Sequence, residues 1–150
     1  MIPSVADLEQ RLVGHTFPGG TFVVEDYERW LSHDALQSVP LPDGVLHPVW
    51  IVLGALRGMG ITIDDLIELA AASPDDGVVF GETDYEQHAL LRSATEYTVR
   101  GGITSVTRRK GKSAGVFDVV VIELTIVGAD GAIAAISRQS FIFFRDRGKA

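Results

Sequence analysis

Hydrophobic positions recur at helical spacing in the first half of the chain and form longer runs in the second half. In the first half the pattern predicts helices over residues 4–14, 26–36 and 62–70, which begin at Ser4, Asp26 and Thr62, residues that favour helix caps. A short strand is expected at 21–25. The second half predicts four strands, at residues 78–88, 95–109, 116–127 and 132–144. Turn residues lie between these strands, so neighbouring strands should be antiparallel.

One segment of the first half, residues 49–56, is apolar on every side, which is typical of a buried helix. Pro48 suits its first position, where a missing N–H costs nothing, and Gly54 leaves room for a sheet to approach closely. Five antiparallel strands would cover such a helix. We therefore predict an α+β fold in a single domain of residues 1–150, with a curved five-stranded antiparallel sheet wrapped around a central apolar helix.

Composition narrows the function. The chain has 150 residues, a formal net charge of −7 and no cysteine. The acidic balance argues against binding of nucleic acid, and the lack of cysteine excludes disulfides and a thiol nucleophile and suits a cytoplasmic protein. No metal site is expected, because the four histidines lack ligand spacing. No cofactor is expected either. No association with a membrane is expected, since the longest apolar run is far shorter than the ~20 residues of a spanning helix.

Four segments together resemble a known family. They are HPVWIVLGALRGMGITIDDLIEL (47–69), DGVVFGETDYEQH (76–88), YTVRGGITSVTRRKGKSAGVFDVVVIELTIV (97–127) and GAIAAISRQSFIFF (131–144). Their order and spacing resemble the hot-dog fold, and in particular the MaoC-like and FAS1-like dehydratase N-terminal group. The resemblance implies an acyl thioester of coenzyme A or acyl carrier protein as ligand. It also implies an oligomer, because many members pair a degenerate subunit with a catalytic one.

The same resemblance shows what this chain lacks. Active members carry Asp-x-Asn-Pro-x-His before the central helix, where the aspartate and histidine handle the proton and the water. Asp34 falls where the aspartate could be, but residues 36–39 read Leu-Gln-Ser-Val instead of Asn-Pro-x-His. We therefore predict no catalytic residue in this chain.

The entrance to the central helix also departs from the family. Active members enter this helix through a His-Gly pair whose glycine N–H faces the thioester carbonyl, whereas this chain has His47-Pro48, and proline has no N–H. The amides of Val49 and Trp50 remain as donors at the helix N-terminus. His47, Val49 and Trp50 are therefore predicted to bind substrate, with a purely local hydrogen bond of His47 as the alternative.

A second candidate site is the basic run RRKGK at residues 108–112. Strand alternation places Arg108 and Lys110 on one side, and we predict that they hold the phosphates of coenzyme A or an acidic protein surface. The alternative is a solvated hairpin turn. Trp30, Trp50 and Phe80 are predicted to lie in the core or an interface.

Three functions remain open at this stage. The first is a non-catalytic, substrate-binding subunit of a 2-enoyl-thioester hydratase or 3-hydroxyacyl-thioester dehydratase, which pairs with a catalytic MaoC-like subunit. The second is a self-sufficient hydratase or dehydratase that acts as a homodimer and uses His47 or the pair His33 and Asp34. The third is a module that binds an acyl or polyketide ligand without chemistry. In the first two, a dimer should form by joining two sheets, because open strand edges are otherwise liabilities.

Overall fold

The computed structural model describes residues 2–145. Its helices are α1 (Val5–Leu12), α2 (Asp26–Leu36), α3 (Val49–Gly58) and α4 (Ile63–Leu69), followed by a short 3-10 helix at Pro74–Asp76. Its strands are β1 (Gly20–Phe22), β2 (Val78–Gln87), β3 (Tyr97–Gly111), β4 (Gly115–Val127) and β5 (Ile133–Phe144). The predicted elements are thus all present, although β1 ends three residues before the predicted strand does.

The strands form a single antiparallel sheet in the order β1-β3-β4-β5-β2. Two long hairpins, β3–β4 and β4–β5, make the centre of this sheet, and β2 lies at one edge because it pairs with β5 alone. The predicted α+β layout is confirmed.

Helix α3 lies against the inner face of the sheet, as its apolar sequence predicts. Ile51 and Ala55 are fully buried there. A Cβ atom added to Gly54 would lie 2.5 Å from the ring of Phe22, and one added to Gly58 would lie 2.5 Å from the side chain of Val99. The close contact of α3 with β1 and β3 therefore depends on glycine at both positions.

Strand β4 is central, but one part of its prediction is wrong. Apolar residues on both faces of residues 116–127 predict burial on both sides. The inward residues are buried, whereas Val119, Val121 and Thr125 on the outer face are only half-buried. Nearby outer-face positions carry the charged side chains Glu123 and Arg138, so this face borders solvent.

The pair Gly101 and Gly102 inside β3 predicts a bulge or a sharp bend, and the irregularity in strand pairing lies next to this pair, between Ile103 and Ser105. The two glycines also allow close approach, since an added Cβ would clash with the backbone oxygen of Glu123 or of His15.

The N-cap of α2 differs from the predicted one. Glu25, rather than Asp26, is the N-cap, because Glu25 and Glu28 form a capping box. The carboxylate of Asp26 instead accepts a hydrogen bond from the hydroxyl of Ser93 at 2.6 Å.

Candidate functional site

The loop before α3 is held in place by backbone hydrogen bonds to the segment that precedes β3. The N–H of Leu46 donates to the carbonyl of Leu91 at 2.9 Å, and the N–H of Ser93 donates to the carbonyl of Gly44 at 2.9 Å. These bonds fix the position of His47 at the N-terminus of α3.

The amides at the start of α3 are not free donors. The N–H of Val49 donates to Nδ1 of His47 at 3.1 Å, and the N–H of Trp50 donates to the carbonyl of His47 at 3.0 Å. The expectation that these two amides remain as free donors is therefore wrong, and the alternative of a local hydrogen bond describes His47; binding of substrate by His47, Val49 and Trp50 stays a prediction. Because Nδ1 accepts a hydrogen bond, neutral His47 carries its proton on Nε2.

Trp50 connects α3 to α2. Its ring is buried, as predicted for a core residue, and its Nε1–H donates to the hydroxyl of Ser32 at 3.0 Å. The guanidinium of Arg57 lies 5.1 Å from the ring centroid, within cation–π range. The same guanidinium forms an ion pair with Glu28 at 3.0 Å. Helix α2 is thereby joined to both the first and the last turn of α3.

His33 lies on the side of α2 that faces this entrance, and its Nε2 is buried without a hydrogen-bond partner among residues 2–145. Burial lowers the pKa of His33 below its ordinary value, and the charges of Arg29 and His47 lower it further. Asp34, the next residue along α2, is exposed instead.

The basic run is divided between the interior and the surface. Arg108 donates from Nε and Nη2 to the two carboxylate oxygens of Asp118 at 2.7 and 2.9 Å, and from Nη2 to the carbonyl of Pro3 at 2.9 Å. The prediction that Arg108 and Lys110 act together as a free cationic pair is therefore wrong, because Arg108 neutralises a buried carboxylate. Lys110 is exposed and has no ion-pair partner within the described part of the chain.

Asp118 has a second arginine partner. Arg145 donates from Nε to Asp118 at 2.7 Å and from its other two nitrogens to the carbonyls of Ala70 and Ala71, where α4 ends. Burial by itself raises the pKa of Asp118, but the hydrogen bonds from Arg108 and Arg145 outweigh it and hold the pKa below its ordinary value. The network joins the sheet to α4 and to the N-terminal segment.

The two predicted binding regions are far apart. The loop that carries His47 is bonded to the segment just before Tyr97, the first residue of β3. Lys110 lies near the far end of the same strand, about 40 Å away at roughly 3.3 Å per residue. The structure therefore does not bring His47 and Lys110 into one site within a protomer.

Sequence reasoning missed two buried polar residues on the inner face of the sheet. Asp118 is the single carboxylate at an inward position of β4, a location that requires a cationic partner. Gln139 of β5 is fully buried and donates from Nε2 to the hydroxyl of Ser137 at 2.9 Å and to the carbonyl of Val52 at 3.3 Å. Both positions could have been found from strand alternation, since each interrupts a row of apolar inward residues.

Several large apolar side chains remain uncovered. Phe80 and Tyr85 of β2 are 42% and 44% exposed, although their cross-strand partners on β5 face the core. Leu53 of α3, the neighbouring helix, is 45% exposed. Trp30 of α2 is also exposed, so the core is excluded for Trp30 and Phe80 and an interface stays a prediction.

The described residues also limit other kinds of site. Between residues 2 and 145, no group of three or more His, Cys, Asp or Glu side chains is arranged to hold a metal ion. No helix in that range combines the length and the apolar character needed to cross a bilayer.

Comparison with known proteins establishes the fold. The ChsH1–ChsH2 complex of Mycobacterium tuberculosis contains a chain that matches with a TM-score of 0.67 and 15% identity, over 97% of this chain and 91% of that chain. The truncated 3R-hydroxyacyl-ACP dehydratase complex HadBC of the same organism matches with a TM-score of 0.66 and 15% identity, over 95% and 99%. A MaoC-like dehydratase of Rhodospirillum rubrum gives 0.63 and 16%, over 92% and 96%. No family model and no curated protein match the sequence.

The chain is thus a hot-dog-fold protein, with a five-stranded antiparallel sheet packed against the central helix α3. The solved structures that it resembles include MaoC-like dehydratases, which confirms the resemblance seen in the sequence. At identities of this size the likeness concerns the fold.

Proposed function

We propose that this chain is a non-catalytic, substrate-binding subunit of a 2-enoyl-thioester hydratase or 3-hydroxyacyl-thioester dehydratase. It pairs with a catalytic hot-dog subunit, and the two chains together enclose the acyl thioester of coenzyme A or acyl carrier protein. We further propose that the complex acts in the cytoplasm, a compartment that suits a chain without cysteine.

The observation that carries this proposal is that the backbone N–H groups at the start of α3 are already hydrogen-bonded within the same segment. The N–H groups of Val49 and Trp50 are both bonded to His47, so neither is available to stabilise a developing oxyanion. No Asn-Pro-x-His follows Asp34, so the acid and base of the hydratase reaction are missing as well. Chemistry must then come from a partner chain, and this chain contributes walls of the acyl site.

A partner also accounts for the uncovered surface beside α3. Strand β2 has one open edge, and Phe80 and Tyr85 project from it on the face that α3 covers elsewhere. An edge strand with exposed aromatic side chains favours pairing with another sheet. The heteromeric hot-dog assemblies of the ChsH1–ChsH2 and HadBC complexes support the same arrangement here.

The test compares the chain alone with the reconstituted complex. The purified chain should hydrate crotonyl-coenzyme A at no more than the rate of buffer. A hot-dog chain of the same organism that carries Asp-x-Asn-Pro-x-His should turn over the thioester when co-purified with this chain. Efficient hydration by the isolated chain, lost on His47→Ala, would overturn the proposal.

One observation favours a second candidate, the self-sufficient homodimer. Among residues 2–145 the buried Nε2 of His33 has no hydrogen-bond partner, and burial lowers its pKa, so a neutral imidazole is available to accept a proton. If the isolated chain is active, His33→Gln should abolish that activity, whereas Asp34→Asn should leave it unchanged because Asp34 is exposed on the other side of α2.

A further inference from the structure

The outer face of β2 and its neighbours carries a cluster of charge that is not balanced. Arg138 of β5 donates to Glu123 at 2.8 Å, to Glu86 at 2.9 Å and to Asp84 at 3.4 Å. Three carboxylates thus surround one guanidinium. Glu82, also exposed on β2, adds another negative charge. The open edge of the sheet is therefore acidic.

This acidity bears on which strand can pair with the edge. A second copy of the chain would meet β2 through a two-fold axis, with the two edge strands antiparallel. Outward positions of one strand lie on the same face as outward positions of the next, and when the two-fold axis lies near Tyr85, Asp84 and Glu86 lie beside their own equivalents along the seam. Residues 78–87 contain no Lys or Arg that could compensate.

We propose that the carboxylates of β2 make this edge reject a second copy and select a hot-dog subunit whose own edge strand carries Lys or Arg on its outer face. The inference rests on the proposed function, because it names the chemistry of the partner at the same interface. The open backbone groups and the aromatic side chains Phe80 and Tyr85 supply the attraction, and the charges decide the identity of the partner.

The chain itself provides the probes for a test. A neutral variant, Asp84→Asn with Glu86→Gln, removes the repulsion and keeps the side-chain size. A reversed variant, Asp84→Lys with Glu86→Lys, represents the basic-edged partner. Asp64→Asn with Glu68→Gln on α4 is the matched control, because it changes the net charge as the neutral variant does but on another surface.

Sedimentation velocity at 0.02 M and 1 M salt measures the outcome. At low salt we expect the wild-type chain to dimerise at least about fivefold more weakly than the neutral variant, since like charges directly opposite each other are destabilising. The control should match the wild type. A mixture of wild-type and reversed chains should form a one-to-one complex at low salt that weakens at 1 M, where the Debye length falls to about 3 Å.

Two results would overturn the inference. One is a wild-type dimer that is as tight as that of the neutral variant and insensitive to salt. The other is a folded reversed variant that does not associate with the wild type. If the charge effects hold but a signature-bearing partner gives no turnover, the proposed function fails alone. If turnover appears while neutralisation leaves pairing unchanged, this inference fails alone.

Discussion

Replacement of Asp118 by asparagine should destabilise the fold strongly. Asp118 is fully buried and receives three hydrogen bonds from two guanidinium groups, at 2.7, 2.9 and 2.7 Å. Asp118→Asn keeps the shape but removes the negative charge and turns an amide N–H group toward the two cations. The change therefore isolates the contribution of the carboxylate.

The loss of folding free energy depends on the two arginine side chains that are left without a carboxylate. Arg108 has a side chain that is 24% exposed and can turn to solvent, whereas Arg145 is only 3% exposed and keeps its charge in the interior. Breaking a buried ion pair by removing one partner costs about 3–5 kcal/mol. The carbonyls of Ala70 and Ala71 still accept from Arg145, so we expect the lower end, about 3 kcal/mol. For a chain of this size that corresponds to a fall in Tm of about 6–12 °C.

Urea unfolding followed by tryptophan fluorescence measures this free energy, with Asp43→Asn as control. Asp43 is fully exposed beside Arg29, so its replacement should leave the midpoint unchanged. Because the pKa of folded Asp118 is depressed, its contribution is present above the ordinary pKa of about 3.9 and is lost as pH falls toward the folded value. This part of acid unfolding should be absent in Asp118→Asn. A variant as stable as the wild type, or a control that is equally damaged, would refute the reasoning.

Three further predictions concern the helix α3, its entrance and the basic turn. Gly54→Ala should lower the free energy of unfolding by about 1–3 kcal/mol, because the added methyl group meets a buried ring; a neutral result in urea unfolding would contradict this. His33→Gln should flatten the loss of stability below about pH 6.5, since a histidine held neutral in the folded state must take up a proton there, and thermal melts from pH 5 to 8 would show it. Lys110→Ala, but not Arg11→Ala, should weaken binding of crotonyl-coenzyme A to the reconstituted complex by calorimetry at low salt, and equal affinities would leave residues 109–112 as a solvated turn.

Much of the fold follows from periodicity. The apolar run of residues 49–56 predicts a helix that packs on the sheet and corresponds to α3, although burial on every side is wrong because Leu53 is 45% exposed. The bounds of β2 to β5 agree with the predicted strands to within two residues. These elements could be predicted because burial imposes its period directly on the sequence. The strand order and the open edge at β2 depend instead on pairing between distant residues, which no local pattern contains.

The candidate site was harder to predict than the fold. His47 could be placed at the entrance of α3, but its bond to the Val49 amide depends on the rotamer of one side chain, which sequence spacing does not determine. Arg108 was assigned to the surface by its basic neighbours, whereas the decisive residue is Asp118, ten positions further along and directly opposite in the hairpin. The position of Arg108 is thus determined by the buried carboxylate of Asp118 in the neighbouring strand and not by the positive charges next to it in the sequence.

The central claim is that this chain completes an acyl-thioester site without supplying the catalytic groups. Its most direct test is a titration of this chain into a fixed amount of a hot-dog partner that carries Asp-x-Asn-Pro-x-His, with hydration of crotonyl-coenzyme A as readout. The account predicts that turnover rises until the two chains are equimolar, and that replacing the signature histidine of the partner abolishes it. Turnover by this chain without the partner, or a partner rate that does not change as this chain is added, would contradict the account.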